Sequence, residues 1–303
     1  MEKYDVLVSG TISVDVIFSS IPKMPSSGEE VYCGRFEFTC GAAFNTAVAL
    51  ARLGLNVAMA APIGNDFLSE FIMNHLKAEG ISTEHMKHFD QPLQTLSVAL
   101  NYEGDRSFIS YEDQIQDFNP EDYINTLVET VDARVLHICA KEETKSTIRT
   151  AKQRGMTVVL DVGWDESWLK DPELKEIIKM GDLFTPNLKE ALVITGETDA
   201  EKALEALNKL NSNNVIIKLG EDGALFKKEG VVTKVPSSKR DVVDTTGAGD
   251  VFSAGLLTGL LKDFELEEAV RLGNFCGGCS VEGMGGTKTS PNWSRVCKEF
   301  FEI

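Results

Sequence analysis

The sequence predicts an α/β protein: a three-layer, doubly wound and mostly parallel sheet, with a second small sheet set apart from it. Three observations carry that prediction. From residue 120 onward, apolar runs of strand length alternate with amphipathic segments of helix length, the rhythm of parallel strands covered by helices on both faces. Near the carboxyl end, Val243-Asp244-Thr245-Thr246-Gly247-Ala248-Gly249-Asp250 turns through two glycines into a buried apolar segment at 252–261. Earlier, residues 31–39, 96–100 and 107–111 are short strand-like runs outside that rhythm, the last two flanking a hairpin turn around Gly104.

Taken in order, the chain opens with Tyr4–Ser9, an apolar run that reads as a buried first strand. It ends in Gly10-Thr-Ile-Ser-Val-Asp15, where a dinucleotide fold requires GxGxxG; only Gly10 is present, which weighs against a nicotinamide dehydrogenase. Residues 21–29 are a turn-rich loop with Pro22, Pro25 and Gly28, and 31–39 alternate as an exposed strand does. Residues 40–54 read as a turn entering a helix, with Gly54 as its stop. A short strand follows at 57–62, and Gly64-Asn-Asp66 starts a helix that runs to about Lys77. Beyond residue 120, strands are expected at 134–138, 157–161 and 183–185, and helices at 145–154, 172–179, 188–195 and 200–210. Three short strands with glycine turns lie at 215–219, 224–227 and 231–235. The helix at 252–261 is followed by another at 267–282, a glycine-rich turn at Gly283-Met-Gly-Gly286, and a last helix from Pro291. No repeat, low-complexity tract or long linker divides the 303 residues, so 1–303 reads as one domain.

Composition narrows the function. Hydrophobic residues at 43% and charged residues at 25% are ordinary for a globular protein. Lys and Arg number 30 against 47 Asp and Glu, a net charge of −17, which makes the chain a poor general binder of nucleic acid or of anionic membrane. No basic amino end leads into an apolar stretch, and no apolar run approaches membrane-spanning length. A cytoplasmic, reduced location is expected. Cys276-Gly-Gly-Cys279 is the only CxxC spacing among six cysteines; without a second pair it reads as thiols packed within a helix rather than as a zinc site.

The chemistry centres on residues 243–252. A glycine turn entering a helix aims unpaired backbone N–H groups, and the positive end of the helix dipole, at whatever lies there, so it favours an anion. Asp250 then stands beside that anion. Such a carboxylate serves either as a stabiliser of the helix start or as a general base that takes a proton from an attacking hydroxyl. Asn45 lies in the first turn of its helix, as a cap or as a ligand. Asn187 and Glu190, three apart after a strand, share one helix face and suit either a capping pair or Mg²⁺ held partly through water. Asp15, Asn45, Asn187 and Asp250 all follow strands or open helices, so they can converge on the crevice beyond the carboxyl ends of the sheet.

These residues together resemble the ribokinase-like (PfkB) carbohydrate kinases. Asp244-Thr-Thr-Gly-Ala-Gly-Asp250 matches that family's carboxyl-terminal signature. Gly41-Ala-Ala-Phe-Asn45-Thr-Ala47, with Gly54 and Gly64 following, is similar to its amino-terminal one. Gly10 to Asp15, Asn187-x-x-Glu190 and Lys218-Leu-Gly220-Glu-Asp-Gly223 fall in the same order, so the resemblance covers nearly the whole chain. It implies transfer of the γ-phosphate of ATP to a hydroxymethyl group. It implies Asp250 as the base, with the N–H groups of Gly247, Ala248 and Gly249 as the anion hole. Asp15, Gly41 and Asn45 would bind sugar hydroxyls, and Asn187 and Glu190 would organise Mg²⁺. Lys218, Gly220 and Gly223 would line the nucleotide cleft. Asn274 would lie beside adenine, or else be a helix-packing amide. Asp244 and Thr246 match ligands of K⁺ near the signature, and Ser290 would close that site from the later loop. The small sheet, segments of about 30–40 and 94–112, would be a lid that also makes a homodimer contact.

The chain departs from the pattern at the sugar end. Cys40 replaces the first of two glycines, and Ala42-Ala43-Phe44 lacks the lysine of members that act on sugar phosphates, which points to an unphosphorylated sugar or related polyol. Cys139-Ala140-Lys141 stands where ribose-specific members carry an acid, and Asp161-Val-Gly-Trp164 lacks the Asn and Arg of some ketogluconate and fructose kinases. Arg106 reads either as a contact to a substrate carboxylate or hydroxyl, or as a solvated charge. A nucleoside kinase on the same scaffold is the nearest rival reading, and a non-catalytic sugar or nucleotide sensor a more distant one, disfavoured by the intact glycine turn and Asp250.

Overall fold

The computed structural model describes residues 4–102, 105–210 and 215–302. The first half runs β1 (Tyr4–Ser9), β2 (Ile12–Ser19), β3 (Arg35–Ala42), α1 (Ala43–Arg52), β4 (Val57–Ala60), β5 (Pro62–Ile63), α2 (Phe67–Ala78), β6 (Lys87–His88), β7 (Thr95–Tyr102), β8 (Asp105–Glu112) and α3 (Pro120–Thr130). Next come β9 (Ala133–Cys139), α4 (Lys145–Gln153), β10 (Thr157–Asp161), α5 (Glu166–Leu169), α6 (Pro172–Ile178), β11 (Leu183–Phe184), α7 (Leu188–Thr195) and α8 (Ala200–Leu210). The chain then forms β12 (Ile216–Lys218), β13 (Ala224–Lys228), β14 (Val231–Val235), α9 (Ala248–Leu261), α10 (Leu266–Ser280) and α11 (Trp293–Glu299).

The main sheet has the order β11-β10-β9-β1-β4, every pair parallel. Isolated parallel bridges, Phe184 to Val215 and Asn187 to Lys218, carry it on to β12, which pairs antiparallel with β13, as β13 does with β14. Its strands are apolar at successive positions, and alternation sends them into two cores. Val6, Val8, Val135, Val159 and Ile216 pack towards α1, α2, α9 and α10. Leu7, Leu136, Val158, Leu160 and Ile217 pack towards α3, α4, α6 and α8. Helices start where the chemistry permits. Asp66 caps α2 by accepting from the N–H groups of Leu68 and Ser69, and Asn119-Pro120 and Asp171-Pro172 open α3 and α6 with a cap and a proline.

The second sheet has the order β3-β2-β7-β8. Here the strands differ from expectation. Residues 12–19 form a full strand, which places Asp15 in the middle of a second strand rather than in a segment that only follows the first. Its register pairs Asp15 with Thr39 on one side and Ser97 on the other. β3 begins at Arg35 and continues through Cys40 and Gly41, so the expected turn at 40–42 is strand. Ala42 makes the reversal into α1 instead, at φ 56°. Polar Ser13, Asp15 and Asn101 masked the period-2 pattern, because the sheet's inner face is a polar site and not a core. The hairpin turn expected around Gly104 lies outside the described residues; its flanks pair up to Tyr102 and Asp105. β5, β6 and α5 went unpredicted because segments of two to four residues carry no periodicity. Cys276 and Cys279 are buried in α10, all six cysteines are free, and among the described residues no group of three or more His, Cys, Asp or Glu could hold a metal. Among the described residues, no helix is long and apolar enough to cross a membrane.

α9 and α10 form the tightest helix pair. A Cβ on Gly255 would lie 2.9 Å from Cys276 Cβ and from the Leu272 carbonyl oxygen, and one on Gly259 would lie 2.9 Å from Ala269. Their missing side chains let the backbones approach and so fix where α9 begins. We expect Gly255→Val to cost about 1–3 kcal/mol by overpacking. A lower urea midpoint with an unchanged m-value would show it, and an unchanged midpoint would refute the packing argument.

Candidate active site

The site is built on the first turn of α9. Gly247 caps the helix at φ 70°, a left-handed conformation suited to glycine. Space demands glycine there as well: a Cβ would lie 2.5 Å from Gly286 Cα and 2.9 Å from Asn45 Nδ2. Of the three N–H groups expected to hold an anion, that of Ala248 makes a long 3.3 Å bond to the Thr245 carbonyl. Asp250 follows in the first turn. Its Oδ2 accepts a 3.0 Å hydrogen bond from Asn45 Nδ2 on α1. Burial, and then repulsion from Asp161, pushes the Asp250 carboxyl from an ordinary value of 3.8 up to about 6, while Asn45 and Lys218 pull the other way.

Asn45 is only 2% exposed, and its Oδ1 is buried without a hydrogen-bond partner. A Cβ on Gly286 would collide with that oxygen. The amide is thus wedged between two glycines, with one end on Asp250 and an acceptor to spare. Asp15 stands nearby on β2, buried, taking a 2.7 Å bond from Ser13 Oγ. Burial raises its carboxyl above the usual range. A side chain at Gly41 would overlap the Asp15 carboxylate, so Gly41 makes room for this acid.

Asp244 is the buried knot behind the site. Its Oδ1 accepts from Thr246 N at 3.1 Å and Thr246 Oγ1 at 2.8 Å, and its Oδ2 from Gly285 N at 2.9 Å. Asn101 Nδ2 on β7 reaches it at 3.5 Å, tying the small sheet to the signature loop. Met284 adds an apolar contact there by packing with Ile17 and Ala99. Ser290 Oγ is buried without a hydrogen-bond partner. Neither Asn101 nor the 284–286 loop was singled out as a site element from sequence, because each acts through a non-local contact, Asn101 with Asp244 across 143 residues and Gly285 with Asp244 across 41.

On the other side of Asp250, Asn187 and Glu190 form a reciprocal capping box. Asn187 Oδ1 accepts from Glu190 N at 2.9 Å, and Glu190 Oε2 from Asn187 N at 2.7 Å. Glu190 is 6% exposed, and burial drives its carboxyl up to about 7 against the pull of Lys218. Lys218 Nζ lies 3.9 Å from Asp161 Oδ1, and a Cβ on Gly249 would lie 3.2 Å from the same nitrogen. Gly220 is left-handed with open space around its Cα, whereas a Cβ on Gly223 would meet the chain at Val235 to Ser237. Asn274 donates to the carbonyls of Val235 at 2.9 Å and Pro236 at 3.4 Å, the bonds of a strut between α10 and the end of β14. Arg106 lies on β8 opposite Asn101; its side chain lies outside what is described.

A carboxylate poised beside backbone donors and a lysine, with polar groups on a facing sheet, can move a proton from an alcohol while an anion is held. The family comparison agrees with that chemistry. The pfkB family carbohydrate kinase model matches residues 4–293. The chain belongs to the PfkB family of carbohydrate kinases. It is accordingly a phosphotransferase with an alcohol group as acceptor. Among curated relatives of this PfkB protein, the ribokinase of Bacillus subtilis is 28% identical over 296 residues, 96% of this chain and 98% of its own. The cytidine kinase of Thermococcus kodakarensis is 29% identical over 282 residues, covering 89% and 93%. Among solved structures, Arabidopsis thaliana ribokinase complexed with ribose and ATP superposes with a TM-score of 0.81 at 21% identity, covering 98% of each chain.

The Asp250 environment predicts the pH behaviour. To act as a general base Asp250 must be ionised, so in that role kcat/KM should fall as pH drops through about 6. Asn45→Ala removes a bond that favours the ionised form and should move that limb to higher pH. Stability has the opposite sign. The folded pKa lies above the ordinary value, so the native state binds the proton more tightly, and the contribution is full below about 4 and lost as pH rises through about 6. Asp250→Asn should therefore raise the Tm at pH 8; a lower Tm would contradict the assigned burial cost.

Proposed function

We propose that this kinase transfers the γ-phosphoryl group of ATP to the hydroxymethyl group of an unphosphorylated sugar or related polyol. The observation that carries the reading is Asp250, oriented by Asn45 and set in the first turn of an anion-binding helix. The hydroxymethyl oxygen attacks the γ-phosphorus, its proton passes to Asp250 Oδ, the bond to the β-phosphate oxygen breaks, and ADP leaves. The N–H groups around Gly247 and Gly249 and the ammonium of Lys218 face the charge that spreads over the transferring group. Asp15, Asn45 and Gly41 shape the sugar end. The orphan acceptors Asn45 Oδ1 and Asn101 Oδ1 suit hydroxyl donors.

Glu190, with Asn187 through water, would hold Mg²⁺. A single buried carboxylate held at about 7 fits an ion bound mainly through water and substrate phosphates. Mg²⁺ supplies neutralisation of the β- and γ-phosphate charge. For K⁺ the donors Asp244, Thr246 and Ser290 are all hard oxygens, and the orphaned Ser290 Oγ is a donor atom such an ion would satisfy. Gly220 and Gly223 shape the nucleotide cleft, with Asn274 as its strut. A cytoplasmic setting fits the use of ATP and the six free cysteines.

A nucleoside acceptor is the second reading, favoured by the similarity to a cytidine kinase. The small sheet suggests a homodimer: Phe36, Ile109 and Tyr111 lie on its face away from Asp15, at 56%, 68% and 59% exposure.

Coupled-enzyme assays with ATP and Mg²⁺ should show turnover with a neutral sugar or polyol, and response to nucleosides alone would decide for the second reading. Asp250→Asn should cut kcat by roughly 10²–10⁴-fold; full turnover would rule it out as the base. In light scattering the chain should run as a dimer and Ile109→Arg as a monomer, and a monomeric parent chain would remove the dimer proposal.

A further inference from the structure

One member of a charged pair at the site, Asp161 beside Lys218, has no role in the scheme so far. Val159, Leu183 and Ile216 face α9 from three adjacent strands. By strand alternation, Asp161, Thr185 and Lys218 two residues on face the same way, at the carboxyl ends where the site lies. Thr185 touches Ser253 of α9 at 3.0 Å. Lys218 spans from β12 towards β10, with Nζ 3.9 Å from Asp161 Oδ1 and side chains 12% and 20% exposed. The same nitrogen lies close enough to Gly249 that a Cβ there would be 3.2 Å away. Asp161 Oδ1 is itself fixed by the Val162 N–H at 3.0 Å. A carboxylate at the mouth of an anion site is repulsive unless it serves a cation. Facing the pair are Asp250 on α9 and Glu190 on α7. Below them on β9 is His137, buried without partners for either ring nitrogen and held neutral by burial.

We infer that Asp161 is a positioning residue: it holds the Lys218 ammonium over the first turn of α9, against the phosphoryl group bound there. This rests on the kinase reading above for the identity of the anion. Asp161 touches no substrate in this scheme and acts only through Lys218. With the lysine present, the carboxylate is a tether and helps; with the lysine gone, it is a bare negative charge beside a polyanion and harms.

The test is a double-mutant cycle of Asp161→Asn and Lys218→Met, read by calorimetric binding of Mg²⁺ with a non-hydrolysable ATP analogue, and by kcat on any acceptor found. Asp161→Asn should weaken binding and lower kcat about tenfold with Lys218 present. In the Lys218→Met background the same change should strengthen binding, by about threefold, through relief of repulsion. A purely structural role, or direct metal ligation by Asp161, gives a loss in both backgrounds and overturns the inference. Should Asp161→Asn fail to fold, Asp161→Ser completes the same cycle. Analogue binding with the sign reversal but no turnover on any acceptor sinks the kinase reading and leaves this inference standing. Absence of analogue binding by the unmodified protein sinks the inference.

Discussion

The site hangs on the wedging of one amide. Asn45 has room only because Gly247 and Gly286 lack side chains, and within that slot its Nδ2 meets Asp250. The slot joins four parts of the chain: the start of α1, the start of α9, the glycine-rich loop after α10 and, through Asp244 and Asn101, the small sheet. The Asp250 carboxylate is therefore oriented by packing as well as by a hydrogen bond. A rigid slot of this kind costs no reorganisation when charge develops, which is the condition for electrostatic catalysis.

Electrostatics then set the character of the site. Asp161 at the carboxyl end of its strand, Glu190 and Asp250 at helix starts, and Asp15 in the middle of β2 gather here in a chain of net charge −17. Burial raises the carboxyls of Asp15, Glu190 and Asp250, and the core beneath them supplies the stability that this crowding takes away. Lys218 is the cation that several of these acids feel in common. Under the proposed function this strain is relieved by what the protein binds: a divalent ion at Glu190, and a hydroxyl donor at Asn45. The two orphan amide oxygens, on Asn45 and Asn101, show the same incompleteness in neutral form.

Much of this was legible in advance. The strand–helix rhythm after residue 120, the caps at Asp66 and Asn187, and the glycine turn into α9 each follow from local chemistry, and each element stands close to its expected bounds. The signature motifs pointed to Asp250 because a carboxylate beside an anion site is costly without a reason. What was misjudged has a common cause. β2 and the end of β3 carry polar residues inward because their inner face is a polar surface built around Asp15, so the pattern that marks a core strand is absent. Asn274 was open to two readings, beside adenine or as a helix-packing amide, and its Nδ2 donates to carbonyls at the end of β14.

The sequence by itself determined the fold class, through periodicity and glycine turns, and the class of reaction, through its family motifs, because such patterns are local and survive in one dimension. Only the tertiary structure decided which groups act together. The bond of Asn45 to Asp250 spans 205 residues, and the tie of Asn101 to Asp244 spans 143. The approach of Lys218 to Asp161 and Gly249 depends on parallel strands that are adjacent in space and distant in the chain. Such partnerships are set by sheet order and close helix packing, which no local pattern encodes.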